Sequence, residues 1–410
     1  MTTENQKFSM GRIEFVALIA MMTATIAFSI DAMLPALPEI AAELSPEIAH
    51  RAPLILTSFV LGMGLGTFFS GPLSDAFGRR NVVFGGAALY SVSAFVAWMS
   101  NSLEVMLVAR IFQGFGASGP RVVAVAIIRD LYAGREMARI MSVVMMVFAL
   151  VPAMAPMLGA GIIHTAGWRA IFIAFMAFSI ISVVWMGLRL PETLPPENRR
   201  PLRARLIIDA VRELVGHRTV RLSILVQSLA LAMLFSMIML VQPIYDTVFG
   251  RGESFPLWFG GIAVVAASAS LINALLVVRY GMRRLVSIAF GFQILLSGAM
   301  YFLNLGALPD PYGFAAFVFF QTCLFFQAGL TLGNLNAIAM EPMGHIAGMA
   351  ASVVGAISTV LAALIASPVG LMFDGTTKPL ALAMLLMACG AYALMLYMGR
   401  MENRQPAAAE

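Results

Sequence analysis

Twelve long apolar segments, separated by polar breaks, are the feature that most restricts what this chain can fold into. Each has about the length, roughly 20 residues, that a helix needs to cross the hydrocarbon core of a bilayer. Because lipid offers no hydrogen-bond partner to the backbone, we predict an all-α membrane protein with twelve transmembrane helices. The predicted spans are residues 13–34, 53–71, 81–99, 105–128, 138–163, 169–189, 221–244, 257–278, 285–304, 313–339, 346–372 and 380–399.

The composition agrees with a membrane protein and excludes several other classes. Hydrophobic residues make up 60% of the chain and charged residues 11%, whereas a soluble domain carries roughly 25% charge. The net charge of +5 does not indicate nucleic-acid binding, because the positive residues lie in loops that would face an anionic leaflet. The lipid bilayer is therefore an expected partner and nucleic acid is not.

The positive residues also predict an orientation. With the N-terminus placed in the cytoplasm, twenty of the 26 Lys and Arg residues fall in cytoplasmic segments and four in external ones. This bias follows the positive-inside rule and predicts that both termini are cytoplasmic.

A polar break rich in Pro and Arg divides the spans six and six. We predict an N-terminal six-helix bundle over 1–190, a cytoplasmic linker over 191–220 and a C-terminal six-helix bundle over 221–410. The Gly-Arg-Arg of residues 78–80 has a weak counterpart in residues 281–284 of the second half. Two six-helix pseudo-repeat bundles around a central cavity are typical of transporters.

Asp31 is the acid that lies deepest in an apolar segment, inside the first span. A carboxylate in lipid costs at least about 2.5–3.5 kcal/mol, so the side chain should face a cavity. Such a group can bind and release a proton, which predicts a proton-coupling site. The alternative is that Asp31 lies at the water interface and caps the helix before Pro35.

Two arginines, Arg110 and Arg121, lie eleven residues apart in the fourth span, which places both on one helix face. Arginine stays charged and must meet water, a carboxylate or a substrate. Because Arg110 and Asp31 have similar depth, we expect them to interact, so that protonation of Asp31 would release Arg110. The alternatives are a structural pair for Arg110 and packing or cavity lining for Arg121.

The loop between the second and third spans has Gly, Pro, Asp and Arg residues at a spacing that indicates a gate at the cytoplasmic side. We expect its glycines to form a tight turn, Pro72 to end the second span, and Asp75 to lie at a helix N-terminus. Arg129 at the end of the fourth span could pair with Asp75. The gating residues so predicted are Gly71, Asp75, Gly78, Arg79, Arg80 and Arg129.

Further polar and helix-bending residues complete the predicted site. In the fifth span Pro152, Pro156 and Gly159 should kink the helix and allow close packing, although ordinary transmembrane packing explains them as well. The residues predicted to line a substrate cavity are Thr23, Gln113, Arg121, Gln242, Asn273 and Asn334.

Several motifs together resemble the major facilitator superfamily along nearly the whole chain. Residues 71–80 match its loop between spans 2 and 3, and residues 110–114 match its span 4 motif. Residues 155–159 are similar to the span 5 motif of antiporters. Residues 31–38 resemble the span 1 motif of twelve-span drug:proton antiporters, and residues 341–348 resemble the Bcr/CflA branch, named for bicyclomycin and chloramphenicol resistance.

This sequence departs from the pattern of that branch at three places. Ala32 and Met33 replace the usual Met-Tyr after the acid of span 1, and Thr23 stands where some relatives carry a second acid. The extra arginine of span 4 is Arg121, whereas relatives often carry one near the position of Val125. One deep acid favours one proton per transport cycle.

The resemblance implies a proton-coupled secondary transporter of the bacterial inner membrane that exports small, largely apolar drugs by alternating access. Its expected partners are a small-molecule substrate and protons, and it should act as a monomer without cofactor or metal. An importer or symporter of a small metabolite on the same fold is the main alternative. A membrane sensor would carry a large soluble segment, and an enzyme would need a nucleophile or metal cluster; neither feature is seen in the sequence.

Overall fold

The computed structural model describes residues 10–199, 201–202 and 204–402, and within them the regular elements are helices. The first half of the chain forms seven helices. They are α1 (Arg12–Asp31), α2 (Leu37–Leu44), α3 (Leu54–Phe77), α4 (Arg79–Met99), α5 (Leu103–Leu131), α6 (Gly134–Ala166) and α7 (Ala170–Arg189).

The second half also forms seven helices, of which the first is short. They are α8 (Ala204–Gly216), α9 (Arg218–Pro243), α10 (Phe255–Tyr280), α11 (Met282–Phe302), α12 (Tyr312–Met340), α13 (Ala347–Leu371) and α14 (Lys378–Glu402). Among the described residues, twelve helical stretches are long and apolar enough to cross a membrane, with α1 and α2 counted as one stretch. This confirms the predicted all-α fold with twelve spans.

Most predicted span boundaries lie within a few residues of the observed helix ends, but the second span is an exception. We predicted that Pro72 ends it, and this was wrong, because α3 continues through Pro72 to Phe77. A proline is tolerated inside a transmembrane helix when neighbouring helices support the interrupted turn. Here α3 packs against both α5 and α13.

Successive spanning helices alternate in direction, which gives the bundle two ends. We call the end that holds residues 78, 132 and 190 the Arg79 end, and the end that holds residues 32, 101 and 168 the Asp31 end. The two halves of the chain meet mainly where α3 packs on α13 and where α6 packs on α10.

The two ends differ in how closely the halves approach one another. At the Asp31 end, residues 32–34 of the first half and residues 239–242 of the second half are buried. In α10, by contrast, Ser270–Ile272 and Ala274–Leu275 near the Arg79 end are all exposed. A run longer than one turn covers every face of a helix, so this part of α10 has no close partner in α6. The structure is therefore closed at the Asp31 end and open between α6 and α10 at the Arg79 end.

The turns that precede α4 and α11 show the repeat that the sequence suggested. Gly78 and Gly281 both have positive φ, at 93° and 77°, and each is followed by the first turn of a helix. An ion pair then ties each helix start to the end of another helix, Arg79 to Asp130 at 2.9 Å and Arg283 to Glu341 at 2.7 Å.

Candidate functional site

Asp31 ends α1 and lies inside the protein, with 4% of its surface exposed. Among the described residues, no side chain donates a hydrogen bond to its carboxyl group, and none forms an ion pair with it. A buried carboxylate without a partner is far more costly than a buried neutral carboxyl. This arrangement therefore favours the protonated acid in the state that the structure shows.

Arg110 is fully buried in α5 and binds the helix that carries Asp31. Its Nη2 donates to the carbonyl oxygen of Ser29 at 3.0 Å, its Nη1 to Gln113 Oε1 at 2.7 Å and its Nε to the carbonyl oxygen of Ile55 at 3.4 Å. The guanidinium also lies over the ring of Phe59, 4.3 Å from its centroid. Three oxygen acceptors and an aromatic face thus surround a charge that sits away from water.

The expected direct pair between Asp31 and Arg110 is not present in this structure. Arg110 instead contacts the backbone two residues before Asp31, at Ser29. Since the hydroxyl of Ser29 donates to Thr25, it accepts its 2.6 Å hydrogen bond from Tyr90. The physical reason for the difference is that backbone carbonyls of α1 and α3 satisfy the guanidinium, so no carboxylate is required.

The proline- and glycine-containing part of α6 packs directly against the end of α1. A side chain at Gly159 would overlap the carbonyl oxygen of Ala32, the residue after Asp31. One and a half turns earlier, Ala153 of α6 contacts Gly260 of α10 in the other half, with the Ala153 carbonyl oxygen 2.7 Å from where a Cβ of Gly260 would lie. The segment that contains Pro152, Pro156 and Gly159 therefore connects the surroundings of Asp31 with the second half.

Arg121 lies two-thirds of the way along α5 and, unlike Arg110, is exposed. Its Nη1 lies 3.6 Å from the sulfur of Met63 on α3. It is the candidate cavity residue with the greatest exposure among the six that the sequence suggested.

Most of the other predicted cavity residues form hydrogen bonds with neighbouring groups of the protein. Thr23 is buried, and its hydroxyl bonds backbone carbonyls within α1. Gln113 is buried and accepts from Arg110. Asn334 on α12 donates to Asn273 on α10 at 2.7 Å. Gln242 has 3% of its surface exposed, and its buried Oε1 has no partner among the described residues.

At the Arg79 end, a group of side chains that we call the Arg79 cluster joins α3, α4, α5 and the linker. Its members are Asp75, Arg79, Asp130 and Glu192. Arg79 donates to Asp75 Oδ1 at 2.6 Å and to Asp130 Oδ2 at 2.9 Å. Glu192 accepts from the backbone N–H groups of Arg79 and Arg80 at 2.9 and 3.1 Å. Gly78 is required beside it, because a Cβ there would come within 2.7 Å of the Glu192 carboxylate.

The cluster corrects one prediction about this loop, the partner of Arg129. Asp75 lies in the last turn of α3 and pairs with Arg79, while the acid at the N-terminus of α4 is Glu192. Arg129 does not pair with Asp75; its Nη1 lies close to Gly348 of α13, 3.2 Å from where a Cβ would be. Gly71 also approaches α13, at Ser352. The remaining gating residue, Arg80, donates to the carbonyl oxygen of Gly187 at 2.8 Å.

Asp130 and Glu192 are members of the cluster that were not predicted from the sequence. Both are acids in segments that otherwise carry positive charge, next to Arg129 and shortly after Arg189. An acid placed among several arginines is a signal for an ion pair or a helix N-terminus. Both acids fit this pattern, but the sequence does not show with which arginine each one forms an ion pair or hydrogen bond.

The profile described as Major Facilitator Superfamily matches residues 17–367. A bicyclomycin resistance protein homolog of Haemophilus influenzae is 29% identical over 377 residues, which cover 90% of this chain and 92% of that protein. The chloramphenicol resistance protein CraA of Acinetobacter baumannii is 25% identical over 300 residues, 71% of this chain and 70% of that protein.

Solved structures show a similar fold at low sequence identity. The nucleoside transporter NupG aligns with a TM-score of 0.74 at 13% identity, covering 95% of this chain and 99% of that one. The D-xylose-proton symporter aligns with a TM-score of 0.73 at 15% identity, covering 95% and 97%. With twelve spanning helices and a family match over most of its length, the chain belongs to the Major Facilitator Superfamily and is a membrane transporter rather than an enzyme.

Proposed function

We propose that this transporter exports small, largely apolar drugs of the chloramphenicol or bicyclomycin kind in exchange for protons. The observation that carries the proposal is the buried, unpartnered Asp31 at the closed end of the bundle. The names of the similar proteins, bicyclomycin resistance protein homolog and chloramphenicol resistance protein CraA, support the substrate class.

The proposed orientation places the Arg79 end in the cytoplasm, with both termini on that side of a bacterial inner membrane. The excess of Lys and Arg in the segments at that end supports it. The protein then faces inward in this structure, and substrate enters from the cytoplasm or inner leaflet. We further propose that residues 1–190 and 221–410 move as two bundles joined by the linker 191–220, within a monomer.

In the proposed cycle, Asp31 is neutral while it is buried in the protein, as it is here. When the bundle opens outward, Asp31 meets water and exchanges its proton with the outside. A deprotonated Asp31 needs a cation nearby, and Arg110 already binds the same helix at Ser29. Arg110 would then leave the backbone carbonyls and bind the carboxylate of Asp31. Its partner would differ between the two protonation states of Asp31, and this difference would favour a different conformation in each state.

The test is accumulation of radiolabelled chloramphenicol in proteoliposomes with an acidic lumen. Protons leaving the lumen should drive the drug inward by antiport, and collapse of the pH gradient should abolish the accumulation. A susceptibility panel with overexpression and deletion then separates export from import. Accumulation that requires an alkaline lumen, or drug resistance that falls on overexpression, would support a symporter or importer of a small metabolite instead.

A further inference from the structure

Arg121 lies on a face of α5 that is directed into the protein. Residues nine positions apart lie on opposite sides of a helix, about two and a half turns away. Phe112, nine residues before Arg121, is exposed on the side of α5 that also carries Val105 and Val108. Val105 lies next to the exposed residues Phe95, Val96 and Met99 of α4. Arg110, eleven residues before Arg121, lies on the same face as Arg121 and is fully buried.

The exposure of Arg121 therefore indicates which space its side chain faces. Along that inward face, Arg110, Gln113 and Ala117 have no exposed surface, whereas Arg121 and Val125 are exposed. Exposure begins where α5 approaches the Arg79 end, the end at which the halves are separated between α6 and α10. Arg121 accordingly faces the internal space that is open in this structure, and not the lipid.

Arg121 carries a charge that the protein does not neutralise. Among the described residues, no carboxylate pairs with it, and its polar contact is the thioether of Met63 at 3.6 Å. A thioether is a weak acceptor, and a guanidinium with five N–H groups remains charged in a protein. The arrangement differs from that of Arg110, whose donors are satisfied by three oxygen atoms.

We propose that Arg121 binds an acidic group wherever a substrate carries one, so that the protein accepts neutral apolar drugs but prefers apolar compounds of similar shape that bear a carboxylate, phosphonate or sulfonate. The planar fork of a guanidinium binds such groups with two parallel hydrogen bonds. Val125, one turn further along α5, is exposed and supplies an apolar surface for the rest of the molecule. This inference rests on the proposed export function, because it names the substrate class of the same cavity.

The experiment measures binding of matched acids and amides to the full-length protein in detergent by isothermal titration. The probes are 2-naphthoate and 4-biphenylcarboxylate, each paired with its primary amide, which has nearly the same shape without the charge. The wild type should bind each acid at least about tenfold more tightly than its amide, as expected for a charge-assisted, bidentate contact. Arg121→Gln should remove this preference while leaving amide binding unchanged, and Arg121→Lys should retain part of it.

The control is Arg284→Gln, which removes an exposed arginine at the Arg79 end outside the proposed cavity. It lowers the net charge by the same amount and should keep the preference for acids. Equal affinity for acid and amide in the wild type, absence of acid binding, or an equal loss in Arg284→Gln would overturn the proposal.

The outcome is separable from that of the proposed function. A preference for acids that depends on Arg121, without any accumulation driven by a pH gradient, would leave the anion site standing and refute proton-coupled export. Gradient-driven accumulation of chloramphenicol, together with no effect of Arg121→Gln on the binding of any acid, would support proton-coupled export and refute the anion site.

Discussion

Arg110 shows how one residue can hold the helix that carries the proposed proton site. A buried guanidinium is tolerated here because its donors reach α1, α3 and its own helix at once, at Ser29, Ile55 and Gln113. Each hydrogen bond to a charged group is worth about 1.5–3 kcal/mol when its partner is otherwise buried and unsatisfied. The side chain therefore positions the last turn of α1 relative to α5.

The conservative change Arg110→Lys should not preserve this arrangement. An ammonium keeps the charge but lacks the planar fork, so it cannot reach the carbonyls of Ser29 and Ile55 together. We expect about 1–3 kcal/mol of lost stability, and at least about a tenfold lower rate of gradient-driven transport, which corresponds to about 1.4 kcal/mol. Thermal unfolding in detergent and proteoliposome transport measure the two effects. Arg284→Lys is the control, and wild-type transport by Arg110→Lys would contradict this role.

Glu192 provides a second prediction at the residue scale. Its carboxylate accepts two backbone N–H groups at the start of α4, where the helix dipole favours an anion. Glu192→Ala should lower the free energy of unfolding by about 1–2 kcal/mol and slow transport, because, among the described residues, the linker would keep only the contact of Thr193 with Asp130 in the Arg79 cluster. Glu197→Ala removes an exposed acid from the same linker and should have no effect. Identical melting temperatures for the two variants would contradict the assigned contact.

At the scale of elements, α6 links the proposed proton site to the opposite half. Gly159 lies against the Ala32 carbonyl of α1, and Ala153 lies against Gly260 of α10. We propose that a movement of the end of α1 is transmitted to α6, and through α6 to the interface with α10. In this proposal the segment with Pro152 and Pro156 connects the two regions mechanically and is not part of a binding surface.

Gly159→Val tests this connection. The added side chain would overlap the backbone of Ala32, so α1 and α6 must separate at a cost of about 1–3 kcal/mol. Transport should fall at least about tenfold, with drug binding in detergent less affected. Gly161→Val is a matched control two residues away, since nothing lies within 4 Å of a Cβ at that glycine. Equal transport by the two variants would rule out the contact as a functional link.

The sequence predicted elements better than it predicted contacts between them. Apolar length and the absence of backbone partners in lipid determine where helices form, so the twelve spans could be placed within a few residues. The end of the second span was wrongly predicted at Pro72, because the support for the helical turn that this proline interrupts comes from the neighbouring helices. The observed contacts of Arg110 could not be predicted for a related reason: backbone atoms of distant helices, such as the carbonyl of Ser29, leave no signature in the sequence. The expected pair of Asp75 with Arg129 is not formed because Arg79, four residues further along the chain, binds Asp75 instead.

At the scale of the whole molecule, the structure is closed near Asp31 and open near the Arg79 cluster. Asp31, Gln242 and Tyr245 are buried at one end, whereas beyond Ala269 α10 is largely exposed and is separated from α6 at the other. This asymmetry is what alternating access requires. In the proposed cycle, a proton on Asp31 exchanges with the outside only after the closed end opens.

Cysteine accessibility measures that asymmetry. In a background with Cys323 and Cys389 replaced by Ser, Val125→Cys should react with a membrane-impermeant maleimide applied at the Arg79 side. Val241→Cys, which replaces a residue with no exposed surface at the Asp31 end, should react at least about tenfold more slowly. Equal rates at the two positions would show that the structure does not represent the resting state of the protein in a membrane.

The most direct test of the account is proton release from the purified protein when substrate is added. If substrate and proton bind to opposing states, saturating chloramphenicol in weakly buffered solution should release about one proton per wild-type molecule. Asp31→Asn should release none, while Glu47→Gln, which changes an exposed acid, should behave as the wild type. Undiminished proton release from Asp31→Asn would contradict the assignment of Asp31 as the proton site.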